Sequence, residues 1–423
     1  MIEQVLHPRN LERALQQVIS NKGSAGLDGM KVSELTEYMR DNKVQLMQDL
    51  KEDKYLPTII RGKEIPKGGS KTRLLGIPTV VDRMLQQAVS QSIMYQFDKE
   101  FVDTSYGFRP NKNARQAVAK SLEYIHDGNC HIVDIDLKNF FDEVDHCLLL
   151  NLIYRKVKCP TVLRLIRKWL RVPIDIEGKL TKRRKGVPQG SPISPLLSNI
   201  LLHELDKELK KAGHLFVRYA DDFSIYVKSK LEAKKVGNAI YLFLKNKLHL
   251  PINREKSGLR KPVQFTILGF RFLPTYMKGD KNKYQLAVSD KAWTKFKQKL
   301  KEITRKTKPI KLKERISKIK EIQRGWLNYF RGASIVGKLR ELDGWLRNRL
   351  RYCIWHDWKK PERKRKNLIQ LGVDYTDAYA WSRSRMGGWA IAQSPILKTT
   401  ITIQRLKQKG YISLSDQYNM INL

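Results

Sequence analysis

The stretch FVRYADDFSIYVK, Phe216 to Lys228, constrains this chain more than any other. Two short runs rich in Val, Ile, Tyr and Phe read as strands, with Asp221-Asp222 at the tip of the hairpin between them. Adjacent carboxylates repel, so two of them at one tip cost stability. A hard divalent cation with oxygen ligands would offset that cost. An ordinary polar turn, where Asp is common, accounts for the hairpin equally well when it is taken alone.

A second acidic strand decides between the two. HIVDIDLKNFFD, His131 to Asp142, carries Asp136 at the end of an apolar run, with Phe140 and Phe141 following. A strand ending in a carboxylate supplies a facing ligand for the same ions. Three carboxylates, Asp136, Asp221 and Asp222, holding two Mg²⁺ ions (or Mn²⁺ as a substitute) is the arrangement for phosphoryl transfer by two metals. Tyr219-Ala220-Asp221-Asp222, with the upstream Asp136 and the Phe141-Asp142 that follows it, resembles the palm of reverse transcriptases. The Ala of that tetrad resembles the group II intron branch rather than the retroviral one.

The resemblance implies an α+β fold: a right-hand polymerase with fingers and palm on antiparallel sheet, an α-helical thumb or maturase bundle, and a small basic C-terminal domain. On that basis residues 1–35 are an N-terminal extension, 36–278 the fingers and palm, 279–358 the thumb and 359–423 a DNA-binding region. The chain of 423 residues is long enough for such a set.

Charge agrees with a polyanionic partner. The formal net charge is +40, and residues 275–423 contribute +23 of it, so the C-terminal third is about twice as basic per residue. The aromatics in that third set it apart from a disordered basic tail. Cys130, Cys147, Cys159 and Cys353 form no CxxC pair and have no His at zinc spacing, so reduced, packed thiols and a bacterial cytoplasmic location are expected. Met1 to Leu15 is amphipathic and mixed in charge, unlike a signal peptide, and no apolar run approaches a membrane span.

Further motifs read two ways until the resemblance is applied. NKGSAGLDGM (Asn21 to Met30) is a glycine-punctuated loop; it resembles the template-contacting N-terminal extension of group II enzymes, which implies RNA contact at Gly23. IRGKEIPKGGSKTRLLGIP (Ile60 to Pro78) reads as two strands with a Gly-Gly turn, either a lysine-protected edge hairpin or a triphosphate clamp. The resemblance implies that Lys67 and Arg73 grip dNTP phosphates and that Arg61 lies near the templating base. Val81 to Phe101 is an amphipathic core helix. Ser105 to Pro110, SYGFRP, reads as an aromatic, basic loop equally suited to packing or to nucleotide contact; it matches a block of the group II family almost letter for letter, which implies a template or RNA contact for Arg109.

Gly186 to Pro192, GVPQGSP, precedes an apolar helix. The resemblance places this loop under the templating base pair, with Gln189 close to the dNTP and Gly190 against the template. Phe141 lies five residues past Asp136, where the family carries the steric gate against a ribose 2′-OH; Phe140 reads as core. Lys256 matches a lysine that approaches the leaving pyrophosphate. ILGFRF (Ile267 to Phe272) reads as the last palm strand.

Beyond a polar break at Gly279 to Lys283, three apolar stripes read as a bundle with basic outer faces: Trp293 to Ile303, Leu312 to Phe330 and Leu339 to Ile354. QRGWLNYF, Gln323 to Phe330, strongly resembles the maturase signature of group II intron proteins. KKPERKRK from Lys359 marks the junction to the last unit, so deletion from Lys359 is expected to spare extension on a supplied primer–template. No His and Cys pairs at metal spacing follow, which resembles the IIC lineage without an endonuclease.

The implied function is a group II intron-encoded RNA-directed DNA polymerase that also binds its intron RNA as a maturase. Its partners would be intron RNA, an RNA template with a DNA primer, target DNA and dNTPs, with no membrane; monomer and homodimer are equally open. The alternatives are a related enzyme recruited to defence or diversification, and an RNA-binding splicing factor with no polymerase use. Carboxylates at all three positions count against the last.

Overall fold

A computed structural model of the chain describes residues 1–68, 71–275 and 283–422, in two compact units, Met1–Pro262 and Val263–Leu423. The apolar spacing read between Val81 and Phe101 becomes the helix Val80–Asp98 at the centre of the first unit. Met84, Ala88, Val89 and Ile93 on it are fully buried. Its first turn also buries Asp82, which accepts hydrogen bonds from Tyr55 Oη (2.9 Å), Thr58 N (3.1 Å), Thr79 Oγ1 (2.9 Å) and Trp169 Nε1 (2.9 Å). Burial raises this carboxyl above its ordinary range, and the four donors pull it back. They tie the helix to the loop before the first strand and to the helix Pro160–Arg171.

Among the described residues the first unit holds eight strands: β1 (Ile60–Gly68), β2 (Lys71–Ile77), β3 (His131–Ile135), β4 (Ile174–Ile176), β5 (Lys179–Thr181), β6 (Leu215–Tyr219), β7 (Asp222–Val227) and β8 (Gly258–Arg260). They form two sheets, β2-β1-β4-β5 and β6-β7-β3-β8. Every pairing is antiparallel except the short β1–β4 contact. The β4–β5 hairpin escapes the sequence reading, although Glu177-Gly178 at its turn take positive φ (51° and 87°), as a tight two-residue hairpin demands. The helix Ser194–Lys211 is buried on most of its faces beside the second sheet's hairpin.

In the second unit β9 (Thr266–Ile267), β10 (Phe270–Pro274) and β11 (Tyr284–Val288) make a sheet of their own, ordered β11-β10-β9. Ile267 to Phe272, read from sequence as a single strand, divides into β9 and β10 about Leu268 and Gly269, which take positive φ (51° and 84°). The pairing partners of β10 are β9 and β11, and Phe270 packs on Phe330 with ring centroids 4.8 Å apart. The two compact units divide at Pro262/Val263; the 278/279 boundary expected from sequence lies outside the described residues, together with most of the polar break.

The three apolar stripes become the helices Asp290–Ile303, Leu312–Phe330 and Val336–Asp357. Phe296 stacks on Trp326 at 4.3 Å and 10°, and Trp293 lies 4.6 Å from the same indole. Arg315, almost fully buried, donates to the Arg305 and Lys308 carbonyls (3.1 Å each) and to that of Ile303, pinning the link between the first two helices.

Residues after 358 are no separate body. KKPERKRK, read as a junction, enters the helix Pro361–Gln370, with Pro at its first turn and helix-favouring Lys and Arg behind it. Buried Asp343 of the long third helix accepts bonds from Leu414 N (2.6 Å), Ser415 N (3.0 Å), Ser415 Oγ (2.8 Å) and Tyr411 Oη (3.3 Å). Arg351 donates to the Ile401 carbonyl at 3.0 Å. Among the described residues no helix is long and apolar enough to cross a membrane.

Candidate active site

β3 lies between β7 and β8, and its register with β7 pairs Ile135 with Phe223. Continuing that register by one residue sets Asp136 opposite Asp222, so antiparallel pairing alone brings the two acidic motifs together. Asp136 is anchored by Ser257, whose Oγ accepts from the Asp136 amide at 3.0 Å. Its carboxylate lies 3.2 Å from Lys256 Nζ. The Asp222 side chain reaches solvent on one side, yet surrounding protein strips enough water to push its carboxyl up to about 6. Asp221, Asp136 and Asp134 raise it further, and Lys256 opposes them.

Among the described residues no three side chains are drawn into a metal-chelating cluster. The ammonium of Lys256 is the cation that Asp136 holds in this structure. The donor set still fits hard cations: oxygen-only ligands, like charges crowded on facing strand ends, and one of them held above its ordinary pKa by burial first and by its acidic neighbours second.

A cavity of about 520 Å³ gathers three residues read from sequence as dNTP-binding, Arg73, Phe141 and Gln189, with Gly190, read as a template contact, and Phe108. Arg73 Nε donates to Gln189 Oε1. The Gly76 amide donates to the Gln189 carbonyl at 2.7 Å, fastening the loop to β2. Gly190 takes φ 113°, and a Cβ there would press on the Gly76 carbonyl, so the loop needs glycine at this point. Phe140 is 2% exposed in the core, and Phe141, one residue on, turns to the cavity. Asn139 at φ 49° starts the short helix that carries both residues, whose rings meet edge to face with centroids 5.3 Å apart.

Other expected contacts fall elsewhere. Lys67 belongs to β1, and its side chain lies outside the described residues. Arg61, exposed on β1 opposite Ile77, lies outside the cavity lining. Gly23 lies against the Arg83 guanidinium, which donates to the Ser24 carbonyl at 2.7 Å.

Arg109 is a correction. Its side chain is 5% exposed, pairs with Asp98 at 2.7 Å and donates to the Val102 (2.7 Å), Ser105 (3.0 Å) and Asp98 (3.0 Å) carbonyls. A guanidinium so occupied fastens its own loop, with its donors engaged inside the fold. Sequence reasoning also passed over Arg218, Asp206 and Asn199, which are buried beside the acidic turn. Asn199 and Asp206 sit seven residues apart on one apolar helix, a spacing that places two polar groups on one face.

Comparison with known proteins accords with this geometry. Residues 65–272 match the family described as reverse transcriptase (RNA-dependent DNA polymerase), which makes most of the first unit a reverse transcriptase domain. Residues 293–372 match the maturase-specific domain of group II introns. The group II intron-encoded protein LtrA of Lactococcus lactis subsp. cremoris is 30% identical over 318 residues, 60% of this chain and 53% of LtrA. Protein YkfC of Escherichia coli is 28% identical over 64% of this chain and 82% of its own length. The putative COX1/OXI3 intron 2 protein of Saccharomyces cerevisiae is 26% identical over 60% of this chain and 36% of its own. This chain thus spans about half the length of LtrA. The chain carries, in this order, a reverse transcriptase domain and a group II intron maturase-specific domain, and its relatives include group II intron-encoded proteins.

Proposed function

We propose that this protein copies RNA into DNA from a primer and also binds its intron RNA to promote splicing, with target DNA as a further partner. The observation that carries the reading is the β3–β7 register, which faces Asp136 with Asp222. Asp136, Asp221 and Asp222 would hold two Mg²⁺ ions, or Mn²⁺ in their place. When bound, such ions acidify an attacking hydroxyl and neutralise a leaving pyrophosphate. Arg73 turns from Gln189 to fork onto triphosphate oxygens, and Lys67 adds a point charge. Lys256 brings a positive charge beside Asp136 for the leaving group. Purified protein given Mg²⁺, dNTPs and a DNA primer on an RNA template is expected to extend the primer. Binding of intron RNA without extension on any template would leave a splicing factor instead.

Phe141 is proposed to exclude ribonucleotides: its ring lines the cavity, and a sugar bound there would meet it at the 2′-OH. Phe141→Ala is expected to raise the ratio of rNTP to dNTP incorporation with a modest change in melting temperature. Phe140→Ala, in the core, is expected to cost about 3–5 kcal/mol of stability and to leave that ratio unchanged. A larger incorporation change from Phe140 would shift the gate by one residue.

The basic surface predicts a salt-sensitive complex. Single-stranded RNA affinity is expected to fall with a log–log slope of about −0.7 per phosphate contact. A dissociation constant that holds constant from low to moderate KCl would count against this reading.

A further inference from the structure

We propose that Arg218, Asp206 and Asn199 form a positioning device that sets the Asp221-Asp222 turn, a role that rests on the polymerase reading above. Arg218 and Asp206 are both fully buried. The guanidinium forks onto the carboxylate, Nε to Oδ1 at 2.7 Å and Nη2 to Oδ2 at 2.6 Å. Its remaining nitrogen, Nη1, reaches the Asn199 Oδ1 and the Ala220 carbonyl, both at 2.9 Å. Asn199 in turn donates from Nδ2 to the Gly107 carbonyl at 2.8 Å.

The segment before Gly107 runs alongside β6. Arg218 N donates to the Thr104 carbonyl (2.9 Å) and Tyr106 N to the Arg218 carbonyl (2.8 Å). Gly107 then meets the turn so closely that a Cβ would overlap the Ala220 nitrogen and stand 3.0 Å from its Cα. Ala220 has φ 58°, a left-handed conformation that an L-residue with a side chain adopts only under strain. β6 and β7 already pair up to Tyr219 and Asp222, so closing the hairpin does not require these fastenings.

Stability does not account for them either, because a buried ion pair is often replaceable by packed apolar side chains without loss. What the network does is hold one carbonyl, that of Ala220, in one place. The next two residues carry the carboxylates. A planar fork that binds Asp206 with two nitrogens and still points a third at the turn is a job only arginine fits. The SYGFRP loop thereby acts on the acidic turn through Gly107 and Asn199, while Arg109 fastens the loop itself.

Arg218→Lys is the test, since it keeps the buried charge beside Asp206 but lacks the fork. The expected result is a kcat reduced about 10²-fold, as about 1 Å of misplacement commonly costs. The KM for dNTP and the affinity for primer–template are expected to stay near wild type. A second readout uses Mn²⁺ with dNTP and a dideoxy-terminated primer, so that no bond forms. Paramagnetic resonance should then show half-saturating Mn²⁺ raised several-fold. Leu202→Ala, a core change on the same helix, serves as the stability control and is expected to keep kcat at temperatures below its melting. Wild-type kcat and Mn²⁺ binding in Arg218→Lys, or an equal kcat loss in the control, would overturn the proposal. If Arg218→Lys does not fold, Asn199→Ala decides by the same readouts, because it frees Gly107 and leaves the Arg218–Asp206 pair in place. Wild-type protein that extends no primer would sink the polymerase reading instead, and the Mn²⁺ titration would still read the positioning role.

Discussion

Asp222→Asn is expected to abolish primer extension, by about 10³-fold or more, while leaving RNA affinity in place. The carboxylate faces Asp136 across β3 and β7, and its loss removes charge where a cation would bind. The same change is expected to hold or raise the melting temperature, because the folded chain presses the Asp222 carboxyl from its ordinary 3.8 up to about 6. The sign follows from proton linkage. A carboxyl whose pKa is raised on folding favours the folded state when protonated, so its penalty is absent below about 4 and complete above about 6. In metal-free buffer, the melting difference between wild type and Asp222→Asn should open across that interval. Primer extension at the wild-type rate would end the catalytic assignment. A clear drop in melting temperature would contradict the crowded-carboxylate picture.

Deletion from Lys359 onward is expected to unfold the second unit's long helix, contrary to what the charged run at its start implied. Asp343 loses every partner the structure gives it: two backbone amides, the Ser415 hydroxyl and the Tyr411 hydroxyl. The helices Gly388–Gln393 and Leu414–Asn422, which pack on Val336–Asp357, go with them. Asp343→Ala alone strands several donors at about 1–3 kcal/mol for each one left buried and unpaired. Calorimetry of the full chain, the deletion and Asp343→Ala would check this, with proteolysis to locate the opening. A truncated protein that melts like the full chain would show that the last sixty residues are the independent region the sequence implied.

Local signals carried the sequence reading far. The acidic hairpin, the strand ending at Asp136 and the apolar face of Val80–Asp98 stand where their periodicity put them, because neighbouring residues alone determine them. Phe140 and Phe141 part company as expected, since one residue of offset at a strand-to-helix turn redirects a ring. What failed to show was pairing across distance. FRFLP reads as a strand whichever sheet it joins, so nothing local told that β10 pairs with β9 and β11. Arg109 in an aromatic, basic loop looks like a template contact until Asp98 is seen folding back upon it. Arg218 gave no sign either. On alternation alone a charged residue two before Ala220 is as free to face solvent as to be buried, and its partners lie on the preceding helix. At the C-terminus a run of charges reads as a joint, although Lys and Arg build helices as readily as they build linkers.

The bond from Trp169 to Asp82 has a consequence for optical work. Of the eight tryptophans in the chain, Trp169 is the only one in the first unit, and the other seven belong to the second. Its indole is buried and donates to a carboxylate, whereas Trp293 and Trp326 lie in the aromatic stack of the other unit. Emission excited at the indole band therefore comes chiefly from the second unit. The difference between wild type and Trp169→Phe isolates the first. Two fluorescence traces on one chain would then follow the polymerase-type unit and the maturase-type unit separately through denaturant, without a label attached to either.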